Sequence, residues 1–407
     1  MTAEFDAIIV GGGPAGASAG VRLAASGARV LLLERERFPR EKLCGEFISP
    51  ECLEHFARLG VLEEMGRGGA RVSETVFYAP SGRGVSVPSA WFGGSEGGAL
   101  GLSRAEMDAR LLARAREAGV TVIEEAAVAS LVVEGARVCG VRLHAGGDLR
   151  EFRARVTLDA TGRHRAVVRR AERELNGEGK RANRENASAD GPAEKQRAPL
   201  VAFKAHLEGA RGAAGVCEIY FYPGGYGGLS PVEGGLSNLC FIARAGDVRS
   251  RESDPERVLR EVLMRNRRAA RTLKDATAHS RWLGVSLEGF GRHEPAPFEG
   301  LLAVGDAAAF IDPFTGSGML MALEGGELAA QSVTNWLARG GENFDEIARD
   351  YRRAYGSRFD ARLRLCGLLR RAALAPTALA EVSVIALGAS ARLRRRLARS
   401  TRRGLAL

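Results

Sequence analysis

Gly11, Gly13 and Gly16 follow directly on the apolar run Ala7-Ile8-Ile9-Val10, and Glu34 closes the next apolar run, about 20 residues further on. Residues of these types at this spacing suit a bound dinucleotide. The glycines, with Ala15 among them, permit a turn tight enough for backbone N–H groups to meet a pyrophosphate. A helix opened by Pro14 would aim its positive N-terminal end at that anion. An acid at the end of the second strand takes the ribose hydroxyls. The elements that must carry these groups follow: Ile8–Val10 reads as a buried parallel strand, the segment from Pro14 as a helix, and Ala28 to Leu33 as the second strand.

Much further along, Leu301 to Val304 form a short apolar strand ending at Gly305-Asp306, with a helix expected after Gly318. Alone, this is a strand followed by an Asp helix cap. Together with the N-terminal fingerprint it resembles the second FAD motif of the para-hydroxybenzoate-hydroxylase superfamily. The resemblance implies FAD as the cofactor, with Asp306 on the ribityl chain and Gly305 beside it. It places the loop Asp312-Pro313-Phe314-Thr315-Gly316-Ser317-Gly318 along the isoalloxazine ring, so that Pro313, Gly316, Gly318 and Met319 become cofactor contacts. Gly316 and Gly318 would let backbone approach the ring without a Cβ clash. N–H groups at the next helix start would stabilise negative charge on the reduced ring.

The segment Phe38-Pro39-Arg40-Glu41-Lys42-Leu43-Cys44-Gly45-Glu46-Phe47 resembles a loop of geranylgeranyl reductases, which carry a Lys-x-Cys-Gly element. Its Phe-Pro-Arg start and Gly-Glu pair also resemble flavin-dependent halogenases. Leu102 to Asp108 matches a superfamily element whose arginine, here Arg104, contacts the FAD phosphates. Read without the family, Arg104 and Asp108 are a surface ion pair at i, i+4. Arg35, Gly45 and Val128 complete the expected cofactor contacts. Cys44 is counted both with them and as a candidate catalytic residue, because Arg40 and Lys42 beside it would depress its pKa and favour thiolate. The alternative is a small core hydrophobe.

Departures from the superfamily pattern narrow the branch. Aromatic hydroxylases usually carry Asp-Gly where this chain has Thr161-Gly162, with Asp159 two positions earlier, as in the reductase and halogenase branches. They often follow Gly-Asp-Ala-Ala with His, where this chain has Ala309. The Trp-x-Trp-x-Ile-Pro signature of tryptophan halogenases is absent, and Trp91, Trp282 and Trp336 lie far apart.

The expected fold class is α/β: a Rossmann-like FAD-binding domain of the glutathione-reductase type, with an inserted mixed-sheet substrate domain and a helical C-terminus. The FAD domain is expected to be discontinuous, over 1–70, 99–171 and 285–340, with the substrate domain over 71–98 and 198–284. Residues 172–197 are polar with almost no large apolar side chain, which predicts a flexible excursion. Residues 254–273 read as a charged helix, and 341–407 as a helical, basic C-terminal region. The 407 residues suffice for two domains sharing one core. The 45% hydrophobic content is ordinary for a soluble globular protein. Six cysteines without a CxxC pair, and a chain that opens directly into a strand, lead to the expectation of a reduced, cytoplasmic setting. No apolar run approaches the ~18 residues that span a bilayer, and no metal site is expected.

Tyr220-Phe221-Tyr222-Pro223-Gly224-Gly225-Tyr226-Gly227-Gly228-Leu229-Ser230-Pro231 resembles the reductase substrate motif, in which an aromatic pair precedes Phe-Pro on a strand lining an apolar tunnel. Tyr226 takes the place of the motif's tyrosine and is the second candidate catalytic residue. Gly228 and Ser230 stand where that family has large aromatics, which implies a bulkier or differently shaped substrate. Without the resemblance, the stretch is a glycine-rich hairpin with aromatic packing. His206 reads as an ordinary strand residue and is left outside the site.

The formal net charge is +10, and much of it sits in the arginines from Arg392 to Arg403. Aromatic interleaving is missing there and no nucleic-acid fold signature accompanies it, so nucleic acid is not the expected partner. A peripheral membrane contact through this stretch and a solvated cap on the FAD domain are the two readings. The expected partner is an apolar small molecule, isoprenoid or polyketide-like. Oligomeric state is not legible. Three activities remain open: hydride transfer from reduced FAD to a C=C bond, as the reductase resemblance implies; oxygenation with O2; and non-redox use of FAD. NAD(P)H or another reductant would serve as electron donor in the first two.

Overall fold

The computed structural model describes residues 3–93, 98–145, 148–176, 200–312, 314, 316–374 and 377–403. Strand Phe5–Val10 is buried from Ala7 onward, and all four residues of Val30–Leu33 are buried. Apolar side chains on both faces belong to a parallel strand covered from both sides. These two strands pair in parallel with Ala7 opposite Val30 and Val10 opposite Leu33. Thr121–Ile123 adds in parallel beyond Val30–Leu33. On the other side of Phe5–Val10 lies the long strand Asp148–Asp159, whose C-terminal half also pairs in parallel with Leu301–Ala303. Its N-terminal half continues into the antiparallel strands Arg137–Ala145 and Val128–Glu134. Among the described residues this makes a seven-stranded sheet.

Two glycines explain why chain ends so far apart meet. A Cβ on Gly326 would stand 2.3 Å from the Ala15 carbonyl oxygen, so glycine lets helix Gly318–Ala338 lie directly on helix Pro14–Ala25. A Cβ on Gly16 would stand 1.9 Å from the Gly11 carbonyl oxygen, so that helix starts hard against the turn. Strand Leu301–Ala303 then delivers Asp306 to the glycine turn's edge of the sheet.

A second sheet, eight-stranded among the described residues, runs in the order Thr277–Ala278, Leu200–Glu208, Ser237–Arg244, Gly225–Pro231, Val216–Tyr222, Glu74–Tyr78, Gly84–Pro88. Leu283–Leu287 also pairs with Leu200–Glu208. Val216–Tyr222 and Glu74–Tyr78 pair in parallel, Val216 opposite Glu74, so two stretches distant in sequence form one surface. Gly225 packs where a Cβ would stand 1.9 Å from the Ile242 carbonyl oxygen.

The structure differs from the sequence reading in three places. Helix Ala166–Asn176 carries order through Glu172, where the excursion was expected to begin; the rest of that stretch, 177–197, lies outside the described residues. The expected helix over 254–273 is broken into Pro255–Glu261, a short turn at Leu263–Arg265, and Arg267–Thr272. Asn266 causes the break: its Oδ1 caps the amides of Arg268 and Ala269 while its Nδ2 donates to the carbonyls of Tyr78, Ala79 and Phe221. The C-terminal region is not a cap on the first sheet alone. Helix Phe344–Ala373 packs Phe344, Ile347, Tyr351, Tyr355 and Phe359 into that core, and the Tyr351 hydroxyl donates to the Ala303 carbonyl (2.9 Å). Helices Thr377–Ala389 and Ala391–Arg403 instead reach the second sheet, where Val384 packs on Ala79 and Val85, and Ala398 on Val87 and Phe92. Among the described residues no helix is long and apolar enough to cross a membrane.

Candidate functional site

Between the two sheets lies a cavity of about 840 Å³. One side is the glycine turn. Gly11 holds φ +110°, and a Cβ on it would stand 2.3 Å from the Ala160 carbonyl oxygen, so only glycine fits. Gly13 faces open space: its nearest neighbours beyond a built Cβ are guanidinium nitrogens of Arg104 and Arg40, both at 3.9 Å. Gly11, Gly13, Ala15, Glu34 and Arg35 line this side, and Arg40, Lys42 and Arg104 face it with positive charge.

Behind the arginines stands Asp108, fully buried. Arg104 donates to it through Nε (2.8 Å) and a terminal nitrogen (2.7 Å), and Arg40 approaches it at 3.1 Å. The Arg104–Asp108 pair is therefore not a surface ion pair. Asp108 holds two guanidiniums over the turn, an orientation suited to a diphosphate. Lys42 is half-buried beside them. Burial and the neighbouring charges of Arg104 and Arg40 push its pKa down to about 8.

Glu34 accepts from the Gly12 amide (2.8 Å) and the Glu36 amide (3.0 Å). Its carboxylate thus braces the turn and keeps lone pairs for ribose hydroxyls. Asp306 lines the cavity and, among the described residues, makes no hydrogen bond. Burial raises its pKa, against the pull of Arg104, Lys42 and Arg163. A partly buried acceptor aimed at the cavity with no partner of its own fits a polyhydroxyl ligand such as the ribityl chain of FAD. Val128, Gly45, Gly316, Gly318 and Met319 also line the cavity. Gly305 does not: at φ +58° its built Cβ would stand 2.8 Å from the Ala15 Cβ, so it shapes the turn, as Gly16 does. Pro313 lies outside the described residues.

The opposite side is apolar. Phe77, Phe221 and Tyr226 all contact Phe314, with ring centroids 6.2, 5.7 and 5.2 Å away. Ile219, Gly228, Ile242 and Phe310 extend this wall. Gly228 lines the cavity, with a built Cβ 3.1 Å from Ile219 Cδ1, whereas Ser230 is buried and not on its lining. The Tyr226 hydroxyl donates to Asp312, and burial raises its pKa well above the ordinary phenol value. Asp312 also accepts from the Phe314 amide (3.0 Å). Tyr226 thereby tethers the loop after Asp306 to the second sheet, and it presents its ring to the cavity.

Cys44 lines the cavity where the two sides meet. Its thiol is not turned into thiolate. Burial raises its pKa, and this outweighs the opposing charge of Arg104. The expectation failed because Arg40, near in sequence, spends its charge on Asp108. The Cys44 carbonyl accepts from Asn238 Nδ2 (3.0 Å).

His206, left aside in the sequence, belongs to a cluster at the junction. Its Nε2 lies 2.6 Å from Glu46 Oε2. Lys204 Nζ, with its side chain fully buried, contacts Glu41 and lies 3.1 Å from Glu46 Oε1. Glu46 Oε1 also accepts from the Arg104 amide (2.9 Å). Glu41, Glu46 and His206 offer ligand atoms within 4.8 Å of one another, but the Lys204 ammonium is the cation that holds the carboxylates. Lys204 and His206 are two apart on one strand and so point the same way; that spacing was the available signal.

Residues 4–333 match the family described as FAD binding domain. A digeranylgeranylglycerophospholipid reductase of Methanopyrus kandleri is 29% identical over 342 residues, covering 81% of this chain and 78% of that protein. Among solved structures, a geranylgeranyl bacteriochlorophyll reductase-like protein of Thermoplasma acidophilum superposes with a TM-score of 0.77 at 19% identity, over 98% of this chain and 96% of the other. A variant of a flavin-dependent brominase superposes equally well, TM-score 0.77 at 20% identity, over 99% of this chain and 96% of the other. At such identities the two structures show a shared fold, and it is one used by more than one flavin chemistry.

Proposed function

The chain belongs to the FAD binding domain family and is an FAD-dependent oxidoreductase, and from that premise we propose that it reduces C=C bonds of an apolar, isoprenoid-like substrate. The observation that carries this reading is the single cavity with two chemistries: a glycine turn under Arg40, Lys42 and Arg104 on one side, and an aromatic wall of Phe77, Phe221, Tyr226 and Phe314 on the other. The resemblance of the Cys44 loop to geranylgeranyl reductases, and the similarity to a digeranylgeranylglycerophospholipid reductase, favour an isoprenoid chain on the apolar side.

Bound and reduced, FAD supplies a hydride, for which NAD(P)H or another two-electron donor is the source. The chain's own residues hold and orient. Arg40, Lys42, Arg104 and the Gly13 turn take the diphosphate, Glu34 the ribose, and Asp306 the ribityl hydroxyls. The Tyr226–Asp312 tether fixes the loop carrying Gly316 and Gly318. The aromatic wall excludes water and aligns the chain. Reduction adds a hydride to one carbon and a proton to its neighbour; in this reading Cys44, which lines the cavity, hands over that proton from its thiol. Incubating the holoprotein with an electron donor and a geranylgeranyl-chain lipid, then measuring product mass, tests this. Gain of two hydrogens per reduced bond is expected. Gain of oxygen would move the assignment to a monooxygenase.

A further inference from the structure

Side chains of large apolar residues stand about half exposed at Leu368, Leu379, Val382, Ile385 and Leu393, with relative exposures between 48% and 60%. Among the described residues only Leu149, on an unrelated strand, shares this exposure. Concentration of all five in the C-terminal helices is unlike exposed leucines scattered singly over an ordinary surface. Leu379, Val382 and Ile385 recur every third residue along helix Thr377–Ala389 and share one face. The other face is committed: Val384 is buried on Ala79 and Val85.

Charge of one sign predominates in these helices. From Ala361 to Arg403 the sequence has eleven arginines and one acid, Glu381; Arg362 is buried on Glu324, Arg370 pairs with Asp312 and Arg394 turns to the cavity, so the surface charge comes from the exposed remainder. That acid is already engaged, accepting from the Ser81 amide (2.7 Å) and hydroxyl (2.8 Å). Arg392, Arg395, Arg396 and Arg399 are exposed around Leu393 on helix Ala391–Arg403. An apolar face edged with arginines matches a bilayer rich in anionic lipid: the apolar side chains enter the acyl boundary and the guanidiniums remain among the phosphates. Nucleic acid would satisfy the arginines and leave the leucines in water.

The same helices wall the cavity from the inside, through Ala380, Val384, Leu387, Leu397 and Ala398. We propose that the outer face of helices Thr377–Ala389 and Ala391–Arg403 docks on an anionic lipid bilayer, and that apolar substrate passes from the bilayer into the cavity behind them. The docking stands on the surface alone; the substrate route rests on the reading of the cavity given above.

The test is co-sedimentation of the full-length, FAD-loaded protein with vesicles of phosphatidylcholine, alone or mixed with phosphatidylglycerol. Binding to the mixed vesicles is expected, weakening as salt rises, with little binding to the neutral ones. Replacing Arg392, Arg395 and Arg396 together by alanine should weaken it about a hundredfold, at roughly fivefold per arginine. The triple variant L379E/V382E/I385E should abolish it. Flavin content and absorbance spectrum should stay unchanged in both variants, which shows that they remain folded. Three results would each overturn the docking: wild-type protein that ignores anionic vesicles, binding that survives both variants, or a dimer in solution that the glutamate variant dissolves. If vesicles bind but no isoprenoid lipid is reduced, the docking stands and the substrate reading fails. If the lipid is reduced in detergent while vesicles are ignored, the reverse holds.

Discussion

Replacing Glu46 by alanine should destabilise the protein by about 3–5 kcal/mol, the range for removing one partner of a buried ion pair. Both Glu46 and Lys204 have side chains fully screened from solvent. Glu46 serves Lys204 at 3.1 Å, His206 at 2.6 Å and the Arg104 amide at 2.9 Å. Without it Lys204 keeps, among the described residues, only Glu41, whose side chain is 31% exposed and so a weaker counter-charge. Glu46 also holds φ +53°, a conformation that costs a non-glycine residue about 1 kcal/mol. Glu46→Gly should therefore be less damaging than Glu46→Ala by about that amount. Adding Lys204→Met to Glu46→Ala removes the stranded ammonium and should recover much of the loss, since an apolar replacement of a whole pair is often near neutral. Urea denaturation of the FAD-loaded variants measures each difference at constant m-value. A loss under about 1 kcal/mol for Glu46→Ala, or strictly additive effects in the double variant, would refute the view of the cluster as one buried unit joining the two sheets.

Lys42 gives a pH signature: burial lowers its pKa to about 8, and an anionic diphosphate beside it would favour the charged form. FAD affinity of the apoprotein should then be full below pH 8 and fall as pH rises above it, because binding must first return the proton; Lys42→Met should bind more weakly and show a flatter profile when titrated by flavin fluorescence. In the apoprotein alone the sign is opposite: the unfolded chain holds the Lys42 proton up to about pH 10.5, so this residue's contribution to stability rises between pH 8 and that value, measurable as the midpoint of denaturation against pH. Gly13→Val places a branched side chain in the space facing Arg104 and Arg40, so the purified variant should lose its flavin absorbance while remaining folded by circular dichroism.

What was legible in the sequence was local. The glycine turn, Glu34 and the Gly305-Asp306 strand end are short patterns whose geometry is set within a few residues, and the structure brings Gly11, Gly13, Glu34 and Asp306 to one cavity. The cluster of Glu46, Lys204 and His206 was not legible, because its members come from two elements more than 150 positions apart that pair only through tertiary folding. The same reason explains the thiol of Cys44: sequence neighbours suggested thiolate, but Arg40 turns to Asp108 and burial decides. Arg104 and Asp108 were correctly paired by helical spacing, yet nothing local shows that the pair is buried. The last two helices had a readable composition, basic and apolar, while the sheet they rest on depends on the strand Gly84–Pro88 far upstream.

An anaerobic single turnover tests most directly whether one cavity joins FAD to an apolar chain. The holoprotein is reduced, freed of excess reductant and mixed with a geranylgeranyl-chain lipid while flavin absorbance is followed. Return of the oxidised spectrum without oxygen is expected, with two hydrogens gained by the lipid for each flavin reoxidised. A reduced spectrum that persists in the presence of bound lipid, and recovers only on admission of air, would contradict it.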